Sequence, residues 1–375
     1  MKKNIKTLLV SLMLLSIYSC TEIWDGKIRP REDILVVKAL LSDAPNGQFV
    51  ELYTTSGYGQ EISQTPEQGA RVWVESEQGQ QWSFLEIQPG MYRQESLRAQ
   101  KGVSYKLFVE LADGSRFESV AQTLMPVRPL DTILGVFGDR LIDIYDHNLD
   151  LQPQWVQGIE LYADLDMGGE FAKRIRFDNQ VLFQYQVVLY DSLICLQYMP
   201  GAYHICHNID PRDPPRMNCR TRLPLNDVVN ISLPDFDLAT GELYQHPLGF
   251  APRDRVYYNL SFPGTLFRRA LIVEQFGLTE EAFHFYRQIR EQLMAENALF
   301  DPVATQITGN MRCVSDPDRI VLGLFEVAGS SRQTFVMSYE PWQPHNIWLR
   351  EIQDLSFLPA HECFYETIPA HWIYN

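Results

Sequence analysis

The stretch Ala70-Arg71-Val72-Trp73-Val74-Glu75 alternates small apolar side chains with larger or charged ones. Because successive residues of a β-strand point to opposite faces, Ala70, Val72 and Val74 share one face, and both charged residues lie on the other. The stretch from Tyr105 to Leu111 repeats this alternation. Both stretches therefore predict strands with one buried face and one face towards water.

Further strands of this period are predicted between Asp33 and Leu124, separated by turn-forming Gly, Pro, Asp and Asn. The candidate strands are Ile34 to Leu41, Phe49 to Thr54, Ala70 to Glu75, Trp82 to Ile87, Met91 to Gln94, Tyr105 to Leu111 and Arg116 to Ala121. So many short strands within roughly 90 residues are typical of an immunoglobulin-like β-sandwich, which we predict for residues 33–125. No Cys-Trp-Cys framework is present, so the domain is not of the antibody type.

Two prolines in Leu124-Met125-Pro126-Val127-Arg128-Pro129 end this pattern, because proline cannot donate a ladder hydrogen bond. We place a domain boundary here and predict a larger β-rich domain over residues 130–375. Its candidate strands are Ile159 to Leu165, Lys173 to Phe177, Tyr185 to Tyr190, Val228 to Leu233, Val256 to Phe262, Val321 to Val327 and Thr334 to Tyr339. The predicted fold class is therefore mostly β, in two domains.

One substantial helix is predicted in the second domain, over residues 279–297. Thr279 can cap its amino terminus, and Glu280 and Glu281 favour the positive end of the helix dipole. An apolar stripe at helical spacing marks the face expected to dock on a sheet, and it consists of Phe283, Tyr286, Ile289 and Leu293.

The first twenty residues have the layout of an export signal. Lysines at positions 2, 3 and 6 precede an apolar run from Leu8 to Ile17, which at roughly ten residues is half of what a membrane-spanning helix needs. Cys20 directly after Ser19 resembles a bacterial lipoprotein signal. We expect residues 1–19 to be removed, Cys20 to carry the lipid and residues 20–32 to form a tether. Ordinary secretory cleavage is the alternative, because Tyr18 stands where such signals have a small residue.

Size and charge limit the function further. Without residues 1–19 the chain has 356 of its 375 residues, more than one core usually organises. It then carries 29 basic against 47 acidic side chains, a formal charge of −18. Binding of nucleic acid is disfavoured because no basic run can displace counterions from phosphates. The same charge disfavours a polybasic contact with anionic lipid, so membrane attachment depends on Cys20.

Five cysteines follow Cys20, at positions 195, 206, 219, 313 and 363. In an oxidising compartment disulfides are the default, and an odd number leaves one thiol over. Cys206 and Cys219 enclose a short proline-rich loop and are the first choice for a pair. A zinc site of His204, Cys206, His207 and Cys219 is the alternative, but its spacing matches no common structural zinc pattern. We therefore predict no metal and no cofactor.

Local signatures of hydrolysis are absent from the sequence. It contains no Gly-x-Ser-x-Gly elbow, no His-Glu-x-x-His and no phosphate-binding glycine loop. A catalytic triad of residues that are far apart in the sequence stays an open alternative. The segment from Asp164 to Glu170 has the oxygen ligands of a calcium loop without the ligand order of an EF-hand, and a solvated turn is the favoured interpretation.

Aromatic side chains concentrate near the carboxy terminus. Trp342, Trp348 and Trp372 are the candidates for contact with a partner or ligand, since aromatic rings bury much area at little entropic cost. The alternative is that they close the core of the second domain.

Several short motifs, in this order, resemble one protein family. The motifs are Ala39-Leu40-Leu41-Ser42-Asp43-Ala44-Pro45, Gly69-Ala70-Arg71-Val72, Gly90-Met91-Tyr92, Tyr105-Lys106-Leu107, Asp113-Gly114, Phe117-Glu118-Ser119, Leu299-Phe300-Asp301-Pro302, Gln306-Ile307-Thr308-Gly309-Asn310, Asp316-Pro317 and Leu322-Gly323-Leu324-Phe325. Together they resemble the domain of unknown function 4249 family over most of the mature chain. The resemblance implies a lipoprotein of Bacteroidetes outer membranes, often encoded beside a TonB-dependent receptor. It implies no catalytic residues, and the run Gly168-Gly169-Glu170-Phe171 departs from the family pattern.

The expected function is that of a non-enzymatic accessory protein. We expect it to be anchored in the outer membrane through the lipid on Cys20 and to work with a TonB-dependent receptor in uptake or presentation of cargo. A surface hydrolase or glycan-active enzyme is one alternative, supported only by aromatic loops and scattered acidic residues. A structural or adhesive module of the envelope is the other.

Overall fold

The structure is a computed structural model that describes residues 34–45, 48–55, 64–145, 151–188, 193–196, 205–208, 216–225, 229–232, 242–252, 265–295, 307–340 and 343–351. This part of the chain is mostly β, as predicted, with one long helix. In these residues, no helix has both the length and the apolar character needed to cross a membrane.

Nine strands of the described residues lie before the two prolines at positions 126 and 129. They are β1 (Ile34–Ser42), β2 (Phe49–Thr55), β3 (Gln64–Pro66), β4 (Arg71–Ser76), β5 (Gln81–Gln88), β6 (Met91–Arg93), β7 (Ser104–Glu110), β8 (Arg116–Ser119) and β9 (Gln122–Thr123). All the strands predicted here are confirmed within a few residues. The reason is that alternating burial marks most of the long ones, as in β7, where every second side chain from Tyr105 is buried.

The remaining elements vary more in length, from the two residues of β16 to the 20 residues of β20. They are β10 (Thr132–Tyr145), β11 (Leu151–Asp166), β12 (Ile175–Val188), β13 (Leu193–Leu196), β14 (Ile205–Asn208), β15 (Arg216–Pro224), β16 (Asn230–Ile231), β17 (Glu242–Pro252), β18 (Thr265–Gly277), the helix α1 (Glu280–Ala295), β19 (Met311–Cys313), β20 (Val321–Glu340) and β21 (Gln343–Glu351). The predicted strand from Val256 to Phe262 lies outside the described residues.

A single large sheet contains most strands. Its order is β15-β12-β18-β20-β1-β2-β6-β5-β4-β7-β8-β19, and β10-β11-β17 form a separate three-stranded sheet. Strand β20 connects the halves of the large sheet. Its first part pairs in parallel with β1, from Leu35 opposite Val321 to Ser42 opposite Ala328. Its second part pairs antiparallel with β18, from Gly277 opposite Gly329 onwards.

Two cores result from this arrangement. The first lies between β1, β2, β4 and β7, and it includes Phe325 and Val327 of β20 and Met311 and Cys313 of β19. The second lies where the β10-β11-β17 sheet packs on β12, β18 and the end of β20. The division at residues 126–129 and the immunoglobulin-like topology stay predictions. The strand pairing itself crosses that boundary. Strands β19 and β20 come from the carboxy-terminal part of the chain, and they pair with β8 and β1 of the amino-terminal part.

Two glycines and an asparagine fix the start of β20 against its neighbours. The Asn310 side chain donates to the Phe325 carbonyl at 2.8 Å and accepts from the Phe325 amide at 2.9 Å. Gly323 has a φ of +104°, and a Cβ added there would lie 1.8 Å from the Val37 carbonyl oxygen. A Cβ on Gly309 would likewise lie 1.5 Å from the Gly323 carbonyl oxygen. Only glycine permits these backbone approaches.

Helix α1 confirms the predicted helix up to the last residue that the structure describes there. The Ala282 amide donates to the Thr279 hydroxyl at 3.3 Å, so Thr279 is the cap. Phe283 is buried and packs with Leu324 and Ala328 of β20, which docks the helix on the large sheet as its apolar stripe predicts. Leu293 at the other end of the stripe stays partly exposed.

Candidate functional site

A cleft of about 880 Å³ lies between α1 and the outer face of β1. It follows from the alternation in β1, because Leu35, Val37, Ala39 and Leu41 enter the first core and the residues between them face the other way. Strands β12, β18 and β20 supply the floor. The volume lies within the range of ligand pockets in proteins.

Apolar and aromatic side chains form most of the walls of the cleft. From the β1 and β2 side they are Val36, Leu40, Phe49 and Tyr53, and from the other side Phe276, Phe285, Ile289 and Leu324. Phe49 and Tyr53 occupy alternate positions of β2 on the face away from the first core. The helix contributes Phe285 and Ile289, one turn apart, because residues four positions apart share a helix face.

A hydrogen-bonded ion pair lies at the floor. Arg176 of β12 donates through Nη2 to the two carboxylate oxygens of Glu326 at 3.0 and 3.3 Å, and the Tyr286 hydroxyl donates to Glu326 Oε2 at 2.5 Å. The Arg176 guanidinium also lies 4.3 Å from the ring centroid of Phe276 and 5.0 Å from that of Tyr286. The Glu326 side chain is only 3% exposed and that of Arg176 15%. These residues therefore join β12, β20 and α1.

Arg176 and Tyr286 both keep their protons at the floor of the cleft. Burial lowers the pKa of Arg176, but the charge of Glu326 outweighs it and the pKa is raised, so the guanidinium stays charged. Burial and the same carboxylate raise the pKa of Tyr286 far above its usual value, so the phenol keeps its proton and donates it to Glu326. The trio is thus a charged donor, a neutral donor and an acceptor for both, while the buried Arg176 Nε has no partner among the described contacts.

The rim carries two more ion pairs. Lys38 Nζ lies 3.0 Å from Glu51 Oε2, and Arg332 Nη1 lies 3.2 Å from Glu274 Oε1. Asp178 also lines the cleft, two residues along β12 from Arg176. The cleft thus combines a large apolar surface with a few charged groups, the composition of a binding site for a small molecule or an extended segment.

A buried histidine lies elsewhere in the second part of the chain. His246 of β17 stacks on Phe177 with ring centroids 4.8 Å apart, and its Nε2 contacts Asn230 Oδ1 at 2.7 Å. Burial, assisted by the positive charge of Arg290, lowers the pKa of His246 to about 4. The imidazole is therefore neutral at pH 7 and donates to Asn230.

Cys20, Trp342 and Trp372 lie outside the described residues, while Trp348 belongs to β21, antiparallel to β20. The binding role of the three tryptophans and the lipid on Cys20 therefore stay predictions.

The predicted pair of Cys206 and Cys219 is also untested. Cys206 lies in β14, where the register places Cys195 directly opposite. Cys219 lies in β15, opposite Tyr185 of β12. Cys313 is a buried free thiol.

The acidic loop from Asp164 to Glu170 has partners within the protein. Asp164 Oδ1 accepts from the Gln245 amide at 2.7 Å, and Asp166 accepts from the Gly168 amide at 2.7 Å and from Arg128 at 3.1 Å. Glu170 pairs with Lys101 at 2.7 Å. Among the described residues, no group of three or more His, Cys, Asp and Glu side chains could hold a metal ion. These contacts fit the turn interpretation.

The sequence interpretation missed Arg176, Asp178 and Glu326. One signal was available for Glu326, since it is a single charge within the apolar run Val321 to Ala328. A charged residue in a strand with two covered faces needs a partner. The identity of that partner, 150 positions away along the chain, depends on strand order and could not be found locally.

Comparison with models of known protein families assigns most of the chain to one family. The model of a family described as Domain of unknown function (DUF4249) matches residues 22–334. No curated protein matches the chain. The matched range contains the cleft and the motifs around Gly309, Asn310 and Gly323.

Proposed function

Because the chain belongs to the DUF4249 family, whose description names no activity, we propose a function from its own residues. It is a lipid-anchored accessory protein of the outer membrane that binds cargo and works with a TonB-dependent receptor in uptake or presentation. It acts by binding rather than by catalysis.

The observation that carries this proposal is the cleft between β1 and α1. Its volume of about 880 Å³ and its aromatic walls suit a bound molecule. Three of its polar floor residues are engaged with one another, because Arg176 and Tyr286 both donate to Glu326. A nucleophile would instead need a neighbouring base able to take its proton. The residues that line this cleft therefore favour binding over hydrolysis.

The anchor in this proposal comes from Cys20 and the segment that follows it. An apolar run of roughly ten residues ending in Ser19-Cys20 supports export with lipidation. The residues from Cys20 to Asp33 then separate the lipid from β1, which begins at Ile34. A tether of this length lets the folded part stand off the bilayer and approach a receptor.

Capture of partners from the native membrane tests the receptor partnership. The lipidated protein is pulled down from gently solubilised outer membranes, and the bound proteins are identified by mass spectrometry. We expect a TonB-dependent receptor in near-stoichiometric amount. Recovery of the lipoprotein alone would contradict the proposal.

The Cys20→Ala variant tests the anchor separately. We expect it to move from the membrane fraction to the soluble fraction, because the chain lacks a basic run that could hold it on anionic lipid. Unchanged membrane partitioning would show that attachment does not depend on Cys20.

A further inference from the structure

We propose that the cleft between β1 and α1 binds an amphipathic organic cation, with its apolar body along the aromatic walls and its ammonium group at Asp178. This inference rests on the proposed binding function and names the chemical class of the cargo. It follows from the charges of the cleft, their register and the character of the walls.

The cations that line the cleft pair with carboxylates other than that of Asp178. These cations are Lys38, Arg176 and Arg332, and each pairs with one carboxylate, in Glu51, Glu326 and Glu274 respectively. Asp178 is left over. Among the described contacts its carboxylate has no hydrogen bond and no ion pair, and its charge acts through space on Arg176 and Tyr286.

The register of the floor strands places a second carboxylate next to Asp178. Asp178 of β12 lies directly opposite Glu274 of β18, and Glu274 in turn lies opposite Arg332 of β20. Like charges directly opposite in a sheet are destabilising. Arg332 pairs with Glu274, and none of the described contacts joins Arg332 to Asp178. A positively charged ligand group placed at Asp178 supplies the missing charge.

Arg176 does not supply it, although it is close in sequence. Its Nη2 donates to both oxygens of Glu326, and its guanidinium lies between the rings of Phe276 and Tyr286. The same geometry disfavours an anionic ligand, because the cations of the cleft are already paired. An experiment that compares amphipathic cations with amphipathic anions therefore tests the proposal directly.

The walls determine the rest of the ligand. From Val36 to Ser42 the β1 side extends for roughly 20 Å, at about 3.3 Å per strand residue. Phe49, Tyr53 and Phe285 present aromatic surface along it. An aliphatic or aromatic body gains from burial against these side chains, and a neighbouring ammonium group is attracted by their ring faces.

Three probes with the same eight-carbon body separate the contribution of charge from that of the apolar surface. They are n-octylamine, 1-octanol and octanoate, titrated at pH 7 by isothermal calorimetry into the full chain carrying Cys20→Ala, purified without detergent. We expect n-octylamine to bind most tightly and octanoate most weakly. Equal affinities, tightest binding of octanoate or binding of none of the three would overturn the proposal.

An exchange of one carboxylate for an amide then locates the charge. We expect Asp178→Asn to weaken n-octylamine binding about tenfold, since one charge-assisted hydrogen bond is lost, and to leave 1-octanol unchanged. Asp139→Asn on the exposed β10 is the matched control and should change neither. Unchanged n-octylamine affinity in Asp178→Asn would also overturn the proposal. Capture of a receptor in the pull-down would still support the receptor partnership in that case. The proposed partnership and the proposed ligand class can therefore fail independently.

Discussion

Glu326 illustrates how one residue connects several parts of the fold. It accepts from Arg176 of β12 and from Tyr286 of α1, and it lies itself on β20. Its side chain is almost completely buried. Removing one partner of a buried ion pair leaves an uncompensated charge. Replacing both partners by apolar residues removes the desolvation cost as well as the Coulombic gain.

Glu326→Gln should therefore destabilise the protein by on the order of 3 kcal/mol, because Arg176 is left buried without its counter-charge. The double variant Arg176→Met with Glu326→Leu should lose clearly less. Urea denaturation of each variant measures the difference. Glu291→Gln, which removes an exposed carboxylate on α1, is the control and should change stability little. A double variant less stable than Glu326→Gln would show that the ion pair itself stabilises the fold.

His246 makes stability depend on pH. Its pKa in the folded protein is about 4, against about 6.5 when unfolded, because burial disfavours its charged form. The unfolded chain therefore binds the proton first as the pH falls. Stability from the neutral histidine is complete above pH 6.5 and is lost as the pH falls towards 4.

Exchange of His246 for a residue that does not titrate tests this dependence. Between pH 7 and pH 5 the wild type should lose about 2 kcal/mol more unfolding free energy than His246→Gln, as the two pKa values require. Denaturant titrations at both pH values measure the loss. His284→Gln, at an exposed position on α1, should follow the wild type. The same pH slope for the wild type and His246→Gln would contradict the assignment.

At the scale of elements, β20 depends on close backbone contact with β1. Gly323 combines a positive φ with a Cβ position 1.8 Å from the Val37 carbonyl oxygen, whereas Gly79 has a φ of +80° and open space around it. The two glycines thus separate the effect of backbone conformation from that of a steric clash.

Gly323→Ala should cost at least about 3 kcal/mol, since β20 must move away from β1. Gly79→Ala should cost only about 1 kcal/mol, from its positive φ alone. Thermal unfolding of both variants gives the comparison. Equal losses would mean that β1 and β20 are not in this register.

Local pattern predicted those elements whose own residues reveal a buried face. β1, β4 and β7 alternate cleanly, and α1 has both its cap and its stripe. The predicted strands Val321 to Val327 and Thr334 to Tyr339 are parts of one strand, β20. The sequence predicts two strands because Gly329-Ser330-Ser331 interrupts the apolar pattern, but the pairing with β18 continues through these residues. β10 was missed because Gly135 and Gly138 resemble breaks in a strand.

The candidate site was the least predictable part. Its walls come from β1, β2 and α1 and its floor from β12, β18 and β20, which are far apart along the chain. Its charged floor residues, Arg176, Asp178 and Glu326, form no local motif. Which residues line the cleft depends on the parallel pairing of β1 with β20. This pairing begins between residues 35 and 321, and no short-range pattern encodes it.

At the scale of the whole molecule, the pairing of β1 with β20 decides whether the chain unfolds as one cooperative unit. β20 contributes to both cores and lies between β1 and β18 in the sheet. Loss of either half exposes the apolar residues of the other. The two predicted domains should therefore not unfold independently.

Unfolding by urea should give one transition that coincides by tryptophan fluorescence and far-ultraviolet circular dichroism. A chain ending at residue 306 should not fold, since the first core then lacks β19 and β20. Its circular dichroism spectrum is the check. Two separate transitions, or a folded fragment of residues 20–306, would instead support independent domains.

We expect the cleft between β1 and α1 to hold the cargo of the proposed accessory protein. The measurement that tests it most directly is native mass spectrometry of the protein released gently from its own membranes, comparing the wild type with Ile289→Glu, which places a charge in the apolar wall, and with Leu293→Glu, one turn further along α1. We predict the same bound molecule on the wild type and on Leu293→Glu, and none on Ile289→Glu. A bare wild type, or a molecule retained by Ile289→Glu, would contradict the claim.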